Sequence, residues 1–366
     1  MSATGGRTAC NVTFSASSRK FPKTPYLRDY DWTFNIATQD NSERRAWFRM
    51  LLERRVRKQK IFHGDPVKMR SFLKALTCVI LPFVCIGLGF AQARSGEPTP
   101  RVLTPQLVAH LPAPVPCDAK KGSCWKPTIG MEWQWQLSCD TAKTCTNLEV
   151  HVPFYVIDAV GNPASTVAAI HKRGEHAYCY VDIGSWEDKR SDASKFPASV
   201  LGKRYVGWPH ERWLDIRQLG ILAPIMIARM QVCVQKGFDG VEFDNVQDWD
   251  NPTGIPITQG ESAYYTAWMA NQAHAMGLSA SWENAPTSVA VLEPYMEALI
   301  FESCYNYHFC QQSAPMVQAG KWVGGVEYKA DFKDLRFCPS YAKDQMVGAF
   351  KERALKSYRI PCGTTK

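Results

Sequence analysis

Two stretches of this chain end a short apolar run in acids. Gly-Phe-Asp-Gly-Val-Glu-Phe-Asp-Asn at 237–245 carries Glu242 and Asp244, and Ala-Leu-Ile-Phe-Glu-Ser-Cys at 298–304 carries Glu302. A short run of β-branched and aromatic residues is the pattern of a buried strand. Barrel and open-sheet α/β enzymes place their chemistry at the carboxyl ends of parallel strands. Carboxyl groups gathered at one such mouth raise each other's pKa, which suits general acid work.

The elements that would hold these acids recur at an interval suited to a repeated strand–helix unit. Candidate strands lie at 133–137, 154–158, 177–182, 212–216, 238–243, 278–282, 298–302 and 322–327, eight in all. Helical segments at 165–173, 222–236, 262–276 and 315–319 lie between several of them, and the last three stop at Gly237, Gly277 and Gly320. Glycine there closes a helix before the next strand. Strands alternating with helices imply a parallel sheet. Eight units over about 230 residues predict an α/β fold, a (β/α)8 TIM barrel forming a single catalytic domain. A doubly wound α/β sheet is the alternative, but no glycine-rich phosphate loop follows an early strand.

On this layout the strand ends gather Trp135, Asp158, Asp182, Asp215, Arg217, Glu242, Asp244, Asn245, Glu283, Asn284, Glu302 and Glu327. One acid at a strand end can be a cap for the following helix. Seven of the eight ends carry one, which caps alone do not explain. Trp186, Trp208, Trp213, Trp249, Trp282, Tyr305, Tyr307 and Tyr328 crowd the same region. Pyranose rings present apolar C–H faces to such rings, so the combination predicts a sugar-binding cleft. Two carboxylates flanking a glycosidic bond are what hydrolysis through an oxocarbenium-like state requires. No Ser-His-Asp elbow, H-E-x-x-H or phosphate loop competes.

The formal charge of +9 is unevenly spread. Residues 1–93 hold 16 Lys/Arg against 6 Asp/Glu, leaving 27 basic and 28 acidic residues in the remainder. The basic excess therefore gives no reason to expect a nucleic-acid partner. Residues 69–93 read as a signal peptide: a basic start at Met-Arg-Ser-Phe-Leu-Lys, an apolar stretch from Ala75 to Phe90, and Ala91-Gln92-Ala93 as the cleavage site. The expectation is that translation starts at Met69 and that 1–68 is an upstream extension; a disordered basic tail on a signal anchor is the alternative. Residues 94–129 form a Pro-rich lead-in, and 130–362 the catalytic domain. Beyond the leader ten cysteines remain, an even number that fits export. Close spacing pairs Cys117 with Cys124, Cys139 with Cys145, Cys304 with Cys310, and Cys338 with Cys362; Cys179 and Cys233 are either a fifth bridge or two buried thiols. Cys304, His308 and Cys310 could instead be read as a metal site, though a disulfide is favoured in an oxidising compartment.

The motifs at 180–187 (Tyr-Val-Asp-Ile-Gly-Ser-Trp-Glu), 207–217 (Gly-Trp-Pro-His-Glu-Arg-Trp-Leu-Asp-Ile-Arg), 236–246 (Lys-Gly-Phe-Asp-Gly-Val-Glu-Phe-Asp-Asn-Val) and 319–328 (Ala-Gly-Lys-Trp-Val-Gly-Gly-Val-Glu-Tyr) resemble glycoside hydrolase family 114. The resemblance implies a secreted TIM-barrel enzyme, an endo-α-1,4-polygalactosaminidase cleaving a galactosamine polysaccharide internally. It implies no cofactor and no metal; a monomer is expected. By the same resemblance the catalytic pair falls on Asp244, as nucleophile or base, and Glu302, as acid/base. Glu242 shares a face with Asp244 and is the third candidate. Asp182, Trp186, Arg217 and Glu327 would line the sugar subsites, with Trp135, Asp158, Asn245, Glu283, Asn284, Tyr305 and Tyr328 as further substrate contacts. The chain departs from the family at Phe243, usually Pro, at Gln247, usually Asp, and at Glu283-Asn284-Ala285, usually Lys-Asn-Asp. An extra acid at Glu283 would favour a cationic, deacetylated sugar or mark a different glycan. A non-catalytic carbohydrate-binding barrel is the reading from another class.

Overall fold

The computed structural model describes residues 102–117, 124–141 and 145–363. The expected signal peptide and the segment before it lie outside the described residues. The main sheet has nine strands: β1 Trp133–Gln136, β2 Phe154–Asp158, β3 His176–Asp182, β7 Gly240–Asp244, β8 Ser279–Glu283, β9 Ala298–Glu302, β10 Trp322–Tyr328, β11 Val347–Lys351 and β12 Ile360–Pro361. The first eight run parallel in that order, and β12 returns antiparallel along β11. The sheet curls until its ends meet: the Trp133 indole donates to the Val347 carbonyl at 3.0 Å, and Lys351 Nζ to Gln134 Oε1 at 2.8 Å. This is the TIM-type barrel that the strand–helix repeat predicts.

Side chains along each strand alternate between two apolar compartments, as the two-residue period requires. The inner one is aromatic, holding Trp133, Trp135, Phe154, Tyr178, Trp322 and Tyr328. Trp322 meets Trp133 and Phe154 edge-on at 5.2 and 5.1 Å. Gly324 makes this possible, because a Cβ there would lie 2.3 Å from the Trp322 ring and 2.9 Å from Trp133. The outer compartment packs helices against the other strand face, with Val167, Leu222, Met226 and Ala267 meeting Cys179, Val241, Phe243 and Trp282.

The helices Leu219–Lys236 and Gln259–Ala275 begin three residues earlier than their apolar spacing predicts. The second starts on a capping box: Thr258 and Glu261 satisfy each other's backbone N–H groups. Gly237 and Gly277, at φ 85 and 81, close them as expected. The lead-in from Leu103 to Val115 lies along the barrel: Asn271 bonds the backbone of Val115 and Ala113, and Tyr295 Oη donates to the Pro112 carbonyl at 2.6 Å.

One expected strand is corrected. Residues 212–216 do not join the barrel; β6 (Glu211–Leu214) instead lies between β4 (Ser185–Glu187) and β5 (Leu201–Arg204) in a small antiparallel sheet. The Arg212 guanidinium bonds the Leu201 and Gly202 carbonyls, and Trp213 packs on Tyr205 at 4.2 Å, so this strand finds local partners. The remaining barrel strand is β11, which sequence reading passed over. All four short cysteine pairs form, and Cys179 bonds Cys233 as the fifth bridge, so Cys304 and Cys310 are not metal thiolates.

Candidate active site

Three consecutive strands of the barrel, β7, β8 and β9, each end in an acid: Asp244, Glu283 and Glu302. The next residue in each case, Asn245, Asn284 or Ser303, has a left-handed backbone with φ 60, 57 or 52. That conformation costs free energy for a residue with a side chain, least for Asn. It turns the chain sharply and leaves the last carboxyl of each strand at the barrel mouth. The two asparagines also cross-brace the strands. Asn245 Nδ2 donates to Asp182 Oδ2 at 2.9 Å, and Asn284 Oδ1 accepts from the Glu302 amide at 2.9 Å.

These acids open on a cavity of about 350 Å³. Its wall includes Trp135, Asp158, Trp208, Asp244, Asn245, Glu283, Asn284 and Glu302, all expected from sequence, and also Tyr180, Glu187, Arg190, Tyr205, Glu211, Gln247 and Arg353. Tyr180 Oη donates to Asp244 Oδ2 at 2.6 Å, and Tyr328 Oη donates to Glu302 Oε1. Glu283 lies between the other two acids, within hydrogen-bond reach of both. Burial, then the charges of Asp244 and Glu302, hold its carboxyl well above the usual range. Burial is also the main cause lifting Asp244, to about 6; the Tyr180 bond opposes it and Glu302 adds to it. Glu211 is pushed up to about 7 by burial. Of the two cations on the wall, Arg190 is held by Asp158 and Glu187 at 2.8 and 2.6 Å, and Arg353 by Asp331 at 2.6 Å. The cavity is therefore acidic.

The other expected site residues fall elsewhere. Glu242 lies below Asp244 on the inner face, fully buried, with neither carboxylate oxygen hydrogen-bonded. Burial, then Asp244, pushes its pKa well up. Asp182 is buried and accepts from Gly184, Ser185 and Asn245, which shapes the turn after β3. The Trp186 indole donates to the Ala193 carbonyl at 3.0 Å rather than facing the cavity. Arg217 pairs with Asp215 at 2.7 Å, away from the cavity wall. Glu327 points outward, where it accepts from the Tyr305 amide at 2.8 Å and the Tyr341 hydroxyl at 2.9 Å. The Tyr305 ring packs beside Phe332 at 5.7 Å. Tyr180 was legible: it sits two residues before Asp182 in a motif already singled out, on the same strand face.

Residues 115–366 match the sequence model of glycoside-hydrolase family GH114. The fold is similar to the crystal structure of Aspergillus fumigatus Ega3 in complex with galactosamine, at 30% identity and TM-score 0.60, over 66% of this chain and 98% of that one. It is also similar to the glycoside hydrolase domain of PelA from Pseudomonas aeruginosa, at TM-score 0.51, over 64% of this chain and 98% of that one. Identity there is 12%, so that likeness concerns the fold alone. No curated protein matches the sequence.

Proposed function

From the premise that this chain belongs to glycoside-hydrolase family GH114, we propose that it cleaves α-1,4-linked galactosamine-containing polysaccharide internally, with Asp244 and Glu302 as the reacting pair. The observation that carries this reading is the set of three acids on adjacent strand ends, opening on one acidic cavity. Asp244 acts as nucleophile or base and must be ionised to do so, which its pKa of about 6 allows at neutral pH. Glu302 protonates the leaving oxygen and, where Asp244 acts as nucleophile, later accepts a proton from water. Glu283, whose carboxyl burial and the neighbouring charges hold well above the usual range, sits within hydrogen-bond reach of both.

The galactosamine in the Ega3 complex supports the substrate assignment, and the charge of the cavity supports it independently. Both wall arginines are already paired, so the unmatched charge is negative and favours an ammonium-bearing sugar over a neutral or anionic one. Trp208, 51% exposed on the wall, offers a ring face to a pyranose. Five disulfides support function in an oxidising, extracytoplasmic compartment.

The test is digestion of a panel of amino-sugar polymers with mass spectrometry of the products. Polygalactosamine should yield short oligomers. Asp244→Asn and Glu302→Gln should each lower the rate by about 10²–10⁴-fold with the fold retained. Full activity in either variant would remove the pair from the mechanism. Binding without cleavage by the intact protein would replace the enzyme with a carbohydrate-binding barrel.

A further inference from the structure

The geometry points to a divalent zinc site on the amino-terminal face of the barrel, built from His171, His176 and Asp239. His171 lies near the end of the helix Ala164–Lys172, His176 opens β3, and Asp239 directly precedes β7. This is the face opposite the acidic cavity. One ligand atom from each of the three lies within 4.8 Å of the others.

Ordinary hydrogen bonding accounts for only part of the cluster. Asp239 Oδ2 accepts from the Ala177 amide at 2.9 Å and contacts His171 Nε2 at 2.9 Å. His176 Nδ1 lies 3.2 Å from Asp239 Oδ1, yet it is shielded from solvent and makes no hydrogen bond. A shielded ring nitrogen that faces a carboxylate oxygen at ion-pair distance without a hydrogen bond calls for an explanation, and an ion held between them is one. The ring cannot easily turn away, because Trp125 stacks on it at 4.0 Å with planes 10° apart. Trp125 is in turn fixed by its carbonyl, which accepts from Ser279 Oγ at 2.6 Å.

The spacing suits the metal. Zinc bonds of about 2.0–2.1 Å in a tetrahedron put neighbouring ligand atoms about 3.3 Å apart. The two histidine nitrogens lie 2.9 and 3.2 Å from the two different oxygens of the Asp239 carboxylate, each within a few tenths of an ångström of that separation. Imidazole and carboxylate are borderline donors that suit zinc better than calcium or magnesium. The histidine side chains are 36% and 30% exposed, so water can reach the fourth position. Bound zinc would tie a barrel helix to the start of two strands, far from the reacting acids.

The experiment uses the untagged mature protein, stripped with EDTA and then titrated with zinc sulfate by calorimetry. The intact protein should bind one equivalent that His171→Ala and His176→Gln each weaken at least tenfold, while magnesium and calcium give no such event. Thermal denaturation should show a zinc-dependent rise in Tm that both variants lose. Hydrolysis should be unaffected. No zinc binding, or equal stoichiometry and affinity in intact protein and folded variants, would overturn the site.

Discussion

Tyr180→Phe isolates one hydrogen bond at Asp244, the proposed reacting acid. Its hydroxyl donates to Asp244 Oδ2 at 2.6 Å, and that bond lowers the Asp244 pKa against the upward push of burial and Glu302. Hydrogen bonds to charged groups are worth about 1.5–3 kcal/mol, and a pKa unit is about 1.4 kcal/mol. Removing the hydroxyl should therefore raise the Asp244 pKa by about one to two units, from about 6 into a range of about 7–8. The role proposed for Asp244 needs it ionised, so activity should fall as pH drops through that value. The acid limb of log kcat/KM against pH should move to higher pH by the same one to two units. At pH 6.5 the variant should then lose several-fold to tens-fold, with the loss shrinking by pH 9. The assay is the initial rate of reducing-end release from polygalactosamine between pH 4 and pH 9. Phenylalanine keeps the ring, so the fold should be retained, with a Tm loss of about 4–8 °C at neutral pH that shrinks where Asp244 is protonated. An acid limb that stays in place, or moves to lower pH, would refute the role given to Asp244. A pH-independent rise in KM would mean that Tyr180 only contacts substrate.

Two further outcomes concern stability. The raised pKa values of Asp244, to about 6, and Glu211, to about 7, mean that the folded chain keeps protons which the unfolded chain releases. Stability should therefore be fully present below about pH 4 for these groups and be lost as pH rises through about 6 and 7. Acids held low by arginines, Asp192 and Asp215, act the other way, but only at more acidic pH. Tm should thus be higher at pH 5 than at pH 7.5, and Asp244→Asn should flatten the difference; a higher Tm at pH 7.5 would contradict the assignment. Opening the Cys179–Cys233 bridge with Cys233→Ser releases a loop of sequence separation 54, worth about 4 kcal/mol in the unfolded chain. In a domain of this size that is a Tm loss on the order of 10 °C by calorimetry; an unchanged Tm would mean the bridge constrains nothing.

What was legible in the sequence follows from what each strand buries. Seven barrel strands announce themselves because both of their faces are covered, so their residues read as short runs rich in apolar and aromatic residues. The eighth, Val347–Lys351, carries Gly348 and Lys351, which weaken the pattern. Yet both are consequences of packing: a Cβ at 348 would lie 2.5 Å from Cys362 Sγ and from the Tyr341 ring, and the buried Lys351 ammonium reaches Gln134 and the Lys356 carbonyl at 2.8 and 2.9 Å. Missing that strand hid Arg353, which lies just past it on the cavity wall. The misplacement of Glu327 has a different cause. Val326 and Tyr328 belong to the inner compartment, so the two-residue period obliges Glu327 to face outward. A list of strand-end acids ignores that parity, whereas applying it retains Asp244, Glu283 and Glu302 and sends Glu327 to brace the loop behind the site. The same parity puts Glu242 inside, but two residues too deep along the strand to reach the cavity wall. Distance along the strand, as well as face, therefore separates an acid that opens on the cavity from one that stays buried beneath it.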